Sequence, residues 1–216
     1  MSQAAARTDD RAVPRSERTR AAILAAAEAL FAERGLAETR LEDVAAAVGI
    51  RRASIVYYFA DKPALYDAVL ADVFQGFGAR LETVLLAERP LGERAIDAVS
   101  AWIDYLAERP TTARILLREV ADGRVGREPP LVRHTRTFHE LIGRVLAQEG
   151  GDPMASAPPV DPVHLSSVVA GSTVFFIAAM PALLPGLGFD PLEPTRLEAY
   201  RNELLGTVRR LLGLSV

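Results

Sequence analysis

The sequence predicts an all-α protein of about nine helices in two unequal domains. Half of the 216 residues are hydrophobic and a quarter are charged, which is the balance of a globular chain that buries a core. Alanine, leucine, arginine and glutamate dominate, and these residues favour helix over strand. Glycine and proline fall between segments whose apolar residues recur with helical spacing, so we expect almost no strand.

The first helix is expected to be followed closely by two short ones. The first is predicted over 16–34, and the second begins at Thr39, whose spacing to Glu42 has the form of a capping box. Gly49 supplies a tight turn, and a third helix covers about 52–59. Together with the start of the next helix, they define a predicted domain of residues 15–62, which precedes a larger domain of residues 63–216.

Two short helices around a glycine turn are typical of a helix-turn-helix, which presents its second helix to the major groove of DNA. A plain helical hairpin has the same pattern and stays open as the alternative. The residues after the turn favour DNA, because donors to base edges precede donors to phosphates. The first group is Arg51, Arg52 and Ser54, and the second is Tyr57, Tyr58 and Lys62.

Residues 18–70 resemble the DNA-binding domain of the tetracycline-repressor (TetR) family. A first helix that ends in Phe31-x-x-x-Gly35, a threonine-led second helix and a Val-Gly-Ile turn follow that family's pattern. So does the aromatic run that leads to Lys62. Val56 stands where the family commonly has tyrosine, so one aromatic contact is missing. The resemblance implies an all-helical regulator of transcription.

The resemblance also implies a role for each matching side chain. Phosphate contacts are expected from Thr39, Arg40, Tyr57, Tyr58 and Lys62, and base contacts from Arg51, Arg52 and Ser54, with Ala53 packed close to the groove. A shift of one residue in the cap of the second helix would exchange Thr39 and Arg40. The adjacent arginines either pair with guanine, which favours a GC-containing operator, or bind phosphate only.

The charge of the chain argues mildly against DNA binding. The net charge is -3, and residues 1–70 hold 10 basic and 10 acidic residues, so basic side chains must act through local placement. Residues 1–14 lack the apolar core of a signal peptide, which favours a cytoplasmic protein with a disordered N-terminal arm. Arg7, Arg11 and the neighbouring Arg15 either touch DNA phosphates or are simply solvated.

The rest of the chain is predicted to hold six helices. They cover about 62–86, 93–108, 111–121, 131–149, 162–184 and 194–213. Charged or small residues with glycine and proline predict loops at 122–130 and 150–162, and the second is the better candidate for a mobile loop. The uncharged stretch 165–189 raises the question of a membrane span, but its prolines and glycines favour a buried helix at a subunit interface.

One helix-turn-helix contacts too few base pairs for useful specificity, so a homodimer on palindromic half-sites is expected. In the TetR family the last two helices form a bundle between subunits. Burial within one chain stays open as the alternative for individual positions. By that resemblance the interface comprises Val168, Val169, Val174, Phe175, Ile177, Ala178, Leu197, Tyr200, Leu204, Leu205, Val208, Leu211 and Leu212.

The larger domain is expected to enclose a mainly apolar cavity for an unknown small-molecule effector. If the family mechanism holds, the ligand moves the fourth helix and so changes the separation of the recognition helices. Ordinary core packing is the alternative for each lining candidate. The candidates are Trp102, Tyr105, Leu106, Leu116, Phe138, Ile142, Phe176 and Met180.

No catalytic site, metal site or cofactor is predicted. The chain has no cysteine, which excludes disulfides and thiolate metal sites. His134 and His139 are five residues apart and so lie off a common helical face; we expect surface or capping roles for them. The leading hypothesis is a repressor that a small apolar or amphipathic ligand releases from its operator. An activator, a ligand-independent DNA binder and a helical small-molecule carrier are the alternatives.

Overall fold

The computed structural model describes residues 14–122, 130–148, 164–165 and 167–214, and there it contains nine main helices and no strand. The all-α prediction is confirmed. The expected arm before Pro14 and most of both predicted loops lie outside the described residues. Helices α1 to α9 cover Arg15–Glu38, Leu41–Val48, Arg52–Tyr58, Lys62–Leu85, Leu91–Glu108, Pro110–Asp122, Pro130–Gln148, 167–183 and Pro194–Leu211.

Helix α8 is irregular. It is a run of four successive segments, of which Ser167–Gly171 and Phe175–Ala179 are π-helical, and a short 3₁₀ turn follows at Pro185–Leu187. Among the described residues, no helix is long and apolar enough to cross a membrane. The interpretation of this stretch as a helix packed on protein therefore agrees with the structure, since α8 lies against α6.

Helix α1 is kinked at Gly35, where φ is 81° and ψ is 171°. Carbonyl groups next to such a kink lose intrahelical donors, as at any helix end. The Arg118 guanidinium of α6 replaces them: its Nε donates to the carbonyl oxygen of Ala32 at 3.1 Å, and its Nη2 donates to that of Glu33 at 2.7 Å. The sequence predicted that the first helix ends at Gly35. Gly35 instead forms the kink, and α1 continues beyond it to Glu38.

We expect Gly35→Ala to lower the free energy of unfolding by about 1–2 kcal/mol, because a side chain is strained at this positive φ. The added Cβ would also lie 3.4 Å from Arg118 Nη1. Urea unfolding of both proteins measures the difference. Gly206→Ala in α9 is the matched control, since its backbone is not in the left-handed region and the substitution should be neutral or stabilising. Equal stability of the two variants would contradict the strain argument.

The core is continuous from the first helices into the middle of the chain. Helix α4 supplies its centre, with Leu65, Val69 and Leu70 all almost completely buried. Helices α1, α5 and α7 all pack on it, while α2 packs on α1 and α3 packs on α2, and residues of all these helices belong to or pack against the same core. A smaller cluster joins Ile103 of α5 to Val208 of α9. Helix α4 therefore connects the N-terminal helices rigidly to the rest of the chain.

A polar cluster ties α1, α4 and the junction of α5 with α6 together. Arg109 Nη2 donates to Glu28 at 2.5 Å and to Asp72 at 3.0 Å, and Arg109 Nη1 donates to the Tyr105 hydroxyl at 3.1 Å. The Thr111 hydroxyl donates to the second oxygen of Glu28 at 2.5 Å. Burial opposes the charge of Arg109, but the hydrogen bonds to Glu28 and Asp72 outweigh it and raise the Arg109 pKa. We call these five residues the Arg109 cluster.

Candidate DNA-binding surface

The prediction that Thr39 caps α2 is wrong. Its side chain is 1% exposed, and its hydroxyl donates to the carbonyl oxygens of Gly35 at 2.8 Å and Leu30 at 3.3 Å. Arg40 is the N-cap residue instead, and its N–H donates to the Asp43 carboxylate at 3.4 Å. The side chain of Thr39 therefore secures the kinked end of α1 and is not presented to a phosphate, whereas that of Arg40 is exposed.

The turn between α2 and α3 is built as the sequence predicts. Gly49 takes the left-handed conformation, with φ 73° and ψ 32°, and the Ile50 N–H donates to the Ala45 carbonyl oxygen at 3.0 Å. Val44 and Ile55 are completely buried and hold the two helices together. Arg51 then caps α3, which begins at Arg52. This geometry fixes which face of α3 points outward.

The outward face of α3 carries most of the side chains predicted to contact DNA. Arg51, Arg52, Ala53 and Tyr57 are exposed, and Tyr57 is 83% exposed, which is unusual for an aromatic ring. Ser54 and Tyr58 are half-buried beside them. The rings of Tyr57 and Tyr58 meet edge to face at 5.1 Å. Arg51, Arg52 and Tyr57 are therefore accessible to a partner without a change of fold.

Lys62 was predicted to contact a phosphate, but its ammonium group already has partners within the chain. Its Nζ donates to the carbonyl oxygens of Leu36 at 2.7 Å and Ala37 at 2.9 Å, so it stabilises the C-terminal end of α1. A lysine ammonium has three N–H groups. One remains to reach a phosphate, and the predicted contact depends on that one.

Helices α2 and α3 and the start of α4 border an open groove of about 420 Å³. Its walls are the N-terminal end of α2 and one side of α3. Arg52 crosses the groove, where its Nε lies 2.9 Å from Glu42 Oε1. The lining residues are Thr39, Arg40, Leu41, Glu42, Arg52, Val56, Ala60, Asp61, Lys62 and Pro63.

Comparison with known proteins relates helices α1 to α4 to a protein family. Residues 23–69 match the model of the bacterial regulatory proteins of the tetR family. Residues 23–69 therefore form a DNA-binding domain of the tetR-family type. The whole chain is 24% identical over 212 residues to the HTH-type transcriptional regulator RutR of Escherichia coli K12, a match that covers 98% of this chain and 97% of that protein.

Solved structures of transcriptional regulators share the fold of this chain. A TetR family transcription regulator from Marinobacter aquaeolei superposes with a TM-score of 0.66 at 19% identity, over 89% of this chain and 96% of that one. The regulator FadR from Bacillus subtilis, in complex with stearoyl-CoA, superposes with a TM-score of 0.65 at 16% identity, over 87% and 96%. The likeness therefore extends beyond the helix-turn-helix into the larger helical part.

Most of the predicted effector residues belong to one core or pack against it. Trp102, Tyr105 and Phe138 surround the ring of Phe77, at centroid distances of 4.9, 5.6 and 5.3 Å. Leu106 and Leu116 are buried in the same core, whereas Met180 is half-buried on α8. Phe176 packs against this core and is stacked on Tyr200 at 4.1 Å. Ile142 is 40% exposed on α7, which contradicts its predicted place in an enclosed cavity.

One buried donor near the aromatic residues has no hydrogen-bond partner within the part of the chain that the structure describes. This donor is the Nε1–H of Trp102, a residue that is 8% exposed. The Tyr105 hydroxyl, by contrast, donates to the Val73 carbonyl oxygen at 2.5 Å and accepts from Arg109. An unpaired buried donor is destabilising, and an acceptor from a bound water or ligand would remove that cost.

Three of the residues predicted for the dimer interface belong to the core of the single chain. Ile177, Leu204 and Val208 are at most 6% exposed, and they pack against α5 or the main core. Phe175 is 48% exposed and so remains available for contact with a second chain. The others are half-buried: Val168, Val169, Val174, Ala178, Leu197, Tyr200, Leu205, Leu211 and Leu212.

The sequence did not predict the Arg109 cluster or the role of Arg118. The partners lie far apart in the chain, so no local pattern joins them. A weak signal existed for Glu28, a charged residue on the same face of α1 as Leu24 and Phe31, which are buried. His134 was expected at the surface or in a cap, but it is half-buried. Its Nε2 lies 3.1 Å from Asp67 Oδ1, and its ring stacks on Phe74.

Proposed function

We propose that this regulator is a repressor that binds a palindromic operator as a homodimer and leaves it when a small apolar or amphipathic molecule binds. Residues 15–62 would contact DNA in the cytoplasm, and residues 63–216 would bind the effector and the second chain. The observation that carries the proposal is the outward face of α3. There Arg51, Arg52 and Tyr57 are exposed above a buried anchor at Ile55.

The exposed groups suit both kinds of DNA contact. Guanidinium groups at the start of a recognition helix can reach the O6 and N7 atoms of guanine, while Arg40 and the hydroxyl of Tyr57 would contact phosphates. Ser54 and Ala53 complete the face that would enter the major groove. Tyr58 and the third N–H of Lys62 would add phosphate contacts at its end.

Selection from a randomised DNA library, followed by fluorescence anisotropy on the enriched sequence, tests this proposal. We expect a palindromic sequence bound by two chains. Arg51→Ala and Arg52→Ala should each weaken binding by about 5- to 150-fold, the loss of about 1–3 kcal/mol that one good base contact supplies. Arg114→Ala, at an exposed arginine of α6, is the control and should bind as the native protein does. If the library enriches nothing, a helical small-molecule carrier replaces the repressor.

The proposed route from effector to DNA runs through α4 and α6. Helix α6 is held to α1 at two places, by Arg118 at the kink and by Thr111 and Arg109 at Glu28. Asp72 joins α4 to the same cluster. A ligand that enters beside Trp102 and accepts its unpaired N–H would push on α4 or α5, and these contacts would pass the displacement to α1.

The proposed dimer uses the outer faces of α8 and α9. Phe175 is its most exposed predicted residue, and half-buried apolar side chains flank it. Sedimentation of native protein and of Phe175→Glu measures the effect: a buried, unpaired carboxylate is costly, so the variant should dissociate at a concentration at which the native protein is a dimer.

A further inference from the structure

We propose that Glu42 sets the base preference of this regulator by positioning Arg52, so that the two side chains act as one unit that selects guanine. The inference rests on the proposed DNA-binding function. It makes Glu42, an acidic residue of α2, a determinant of specificity, although it is not among the residues that the family resemblance assigns to DNA.

The first observation is the geometry of the pair. Arg52 Nε lies 2.9 Å from Glu42 Oε1, and the two side chains form an ion pair across the groove between α2 and α3. The two residues are on different helices, and the buried Val44 and Ile55 fix those helices against each other. The position of the guanidinium therefore depends on the fold as well as on its own rotamers.

The second step concerns which N–H groups remain. A guanidinium carries five N–H groups in a planar fork, and a bidentate contact to guanine O6 and N7 uses two of them. Glu42 faces the Nε side of the guanidinium, and both terminal nitrogens of Arg52 remain for a base edge. An arginine that is already held also loses less rotamer freedom on binding than a free one. The pair thus favours a single directed contact over a diffuse contact with phosphate.

The third step is that stability does not account for the pair. The side chains of Arg52 and Glu42 are 61% and 60% exposed, and ion pairs so open to water contribute little to folding. A carboxylate on a DNA-facing surface also repels the phosphate backbone whatever the sequence is. A residue that lowers affinity for all DNA while it orients one arginine improves discrimination, which depends on differences in affinity.

The guanine that Arg52 contacts is first identified as the operator position at which Arg52→Ala loses its base preference. The test then compares the DNA affinity of Glu42→Gln with that of native protein. Each protein is measured on the selected operator, on operators with another base at that position, and on scrambled DNA. We expect the preference for that guanine to fall about three- to fivefold, the size of an exposed ion-pair contribution, while binding to scrambled DNA stays equal or strengthens. In an Arg52→Ala background, Glu42→Gln should leave base preference unchanged. Both substitutions are at the surface, and thermal unfolding verifies that the variants fold.

Glu38→Gln is the matched control, because it removes the same charge from an exposed position just before α2 and should alter affinity for all sequences alike. If Glu42→Gln also strengthens binding to every sequence equally, Glu42 acts by repulsion only and the inference is overturned. If the native protein prefers no sequence at all, the proposed function itself fails and the inference fails with it. The two failures are therefore distinct.

Discussion

Arg109→Ala is expected to lower the free energy of unfolding by about 3 kcal/mol, at the low end of the range for breaking a buried ion pair by removing one partner. The side chain of Glu28 is only 8% exposed, and without Arg109 its carboxylate keeps the Thr111 hydroxyl as the partner shown by the structure. Asp72 is more exposed and returns to water at little cost. The loss thus arises mainly from one buried negative charge.

Urea unfolding followed by the fluorescence of Trp102, the single tryptophan of the chain, measures this loss. Arg80→Ala is a close control. Both arginines place the guanidinium over the ring of Tyr105, at 5.2 Å for Arg80 and 5.8 Å for Arg109, but Arg80 pairs with the exposed Glu108. We expect Arg80→Ala to cost less than about 1 kcal/mol. Similar losses in the two variants would show that the Arg109 cluster does not stabilise the contact between α1 and α6.

Local chemistry explains what the sequence could predict. The glycine turn, the short helices on either side of it and the exposure of Arg51, Arg52 and Tyr57 all follow from residues close in the chain. The error at Thr39 shows the limit of such patterns. A threonine three residues before an acidic residue has the form of a capping box, but the kink of α1 brings carbonyl oxygens closer to its hydroxyl.

Periodicity marks a buried face without telling what covers it. The apolar stripe of α9 was assigned to a second chain, yet Leu204 and Val208 pack on α5 of the same chain. The Arg109 cluster was out of reach for a related reason, since Arg109 and Glu28 are 81 residues apart and meet only because α6 lies along α1. Tertiary packing decides both cases, and local sequence does not encode it.

The DNA-binding surface should depend most strongly on Ile55, the single buried residue of α3. Helix α3 has seven residues, too few to be stable in isolation, so packing must hold it in place. Ile55 is 0% exposed, and Ile55→Ala should cost about 2–4 kcal/mol through lost burial and the cavity left behind. Because this loss falls on the helix that carries Arg51, Arg52 and Tyr57, DNA binding should disappear before the remainder of the chain unfolds.

Hydrogen exchange of the α3 amides, together with anisotropy on the selected operator, measures both consequences of Ile55→Ala. Exchange should accelerate across 52–59 while the amides of α5 stay protected, and sequence-preferring binding should be lost. Val56→Ala is the control, because the neighbouring side chain is also β-branched but 45% exposed, and its truncation should change stability by less than about 0.5 kcal/mol. If Ile55→Ala binds the operator as tightly as Val56→Ala does, DNA binding does not depend on the position of α3. The outward face of α3 would then not be the recognition surface.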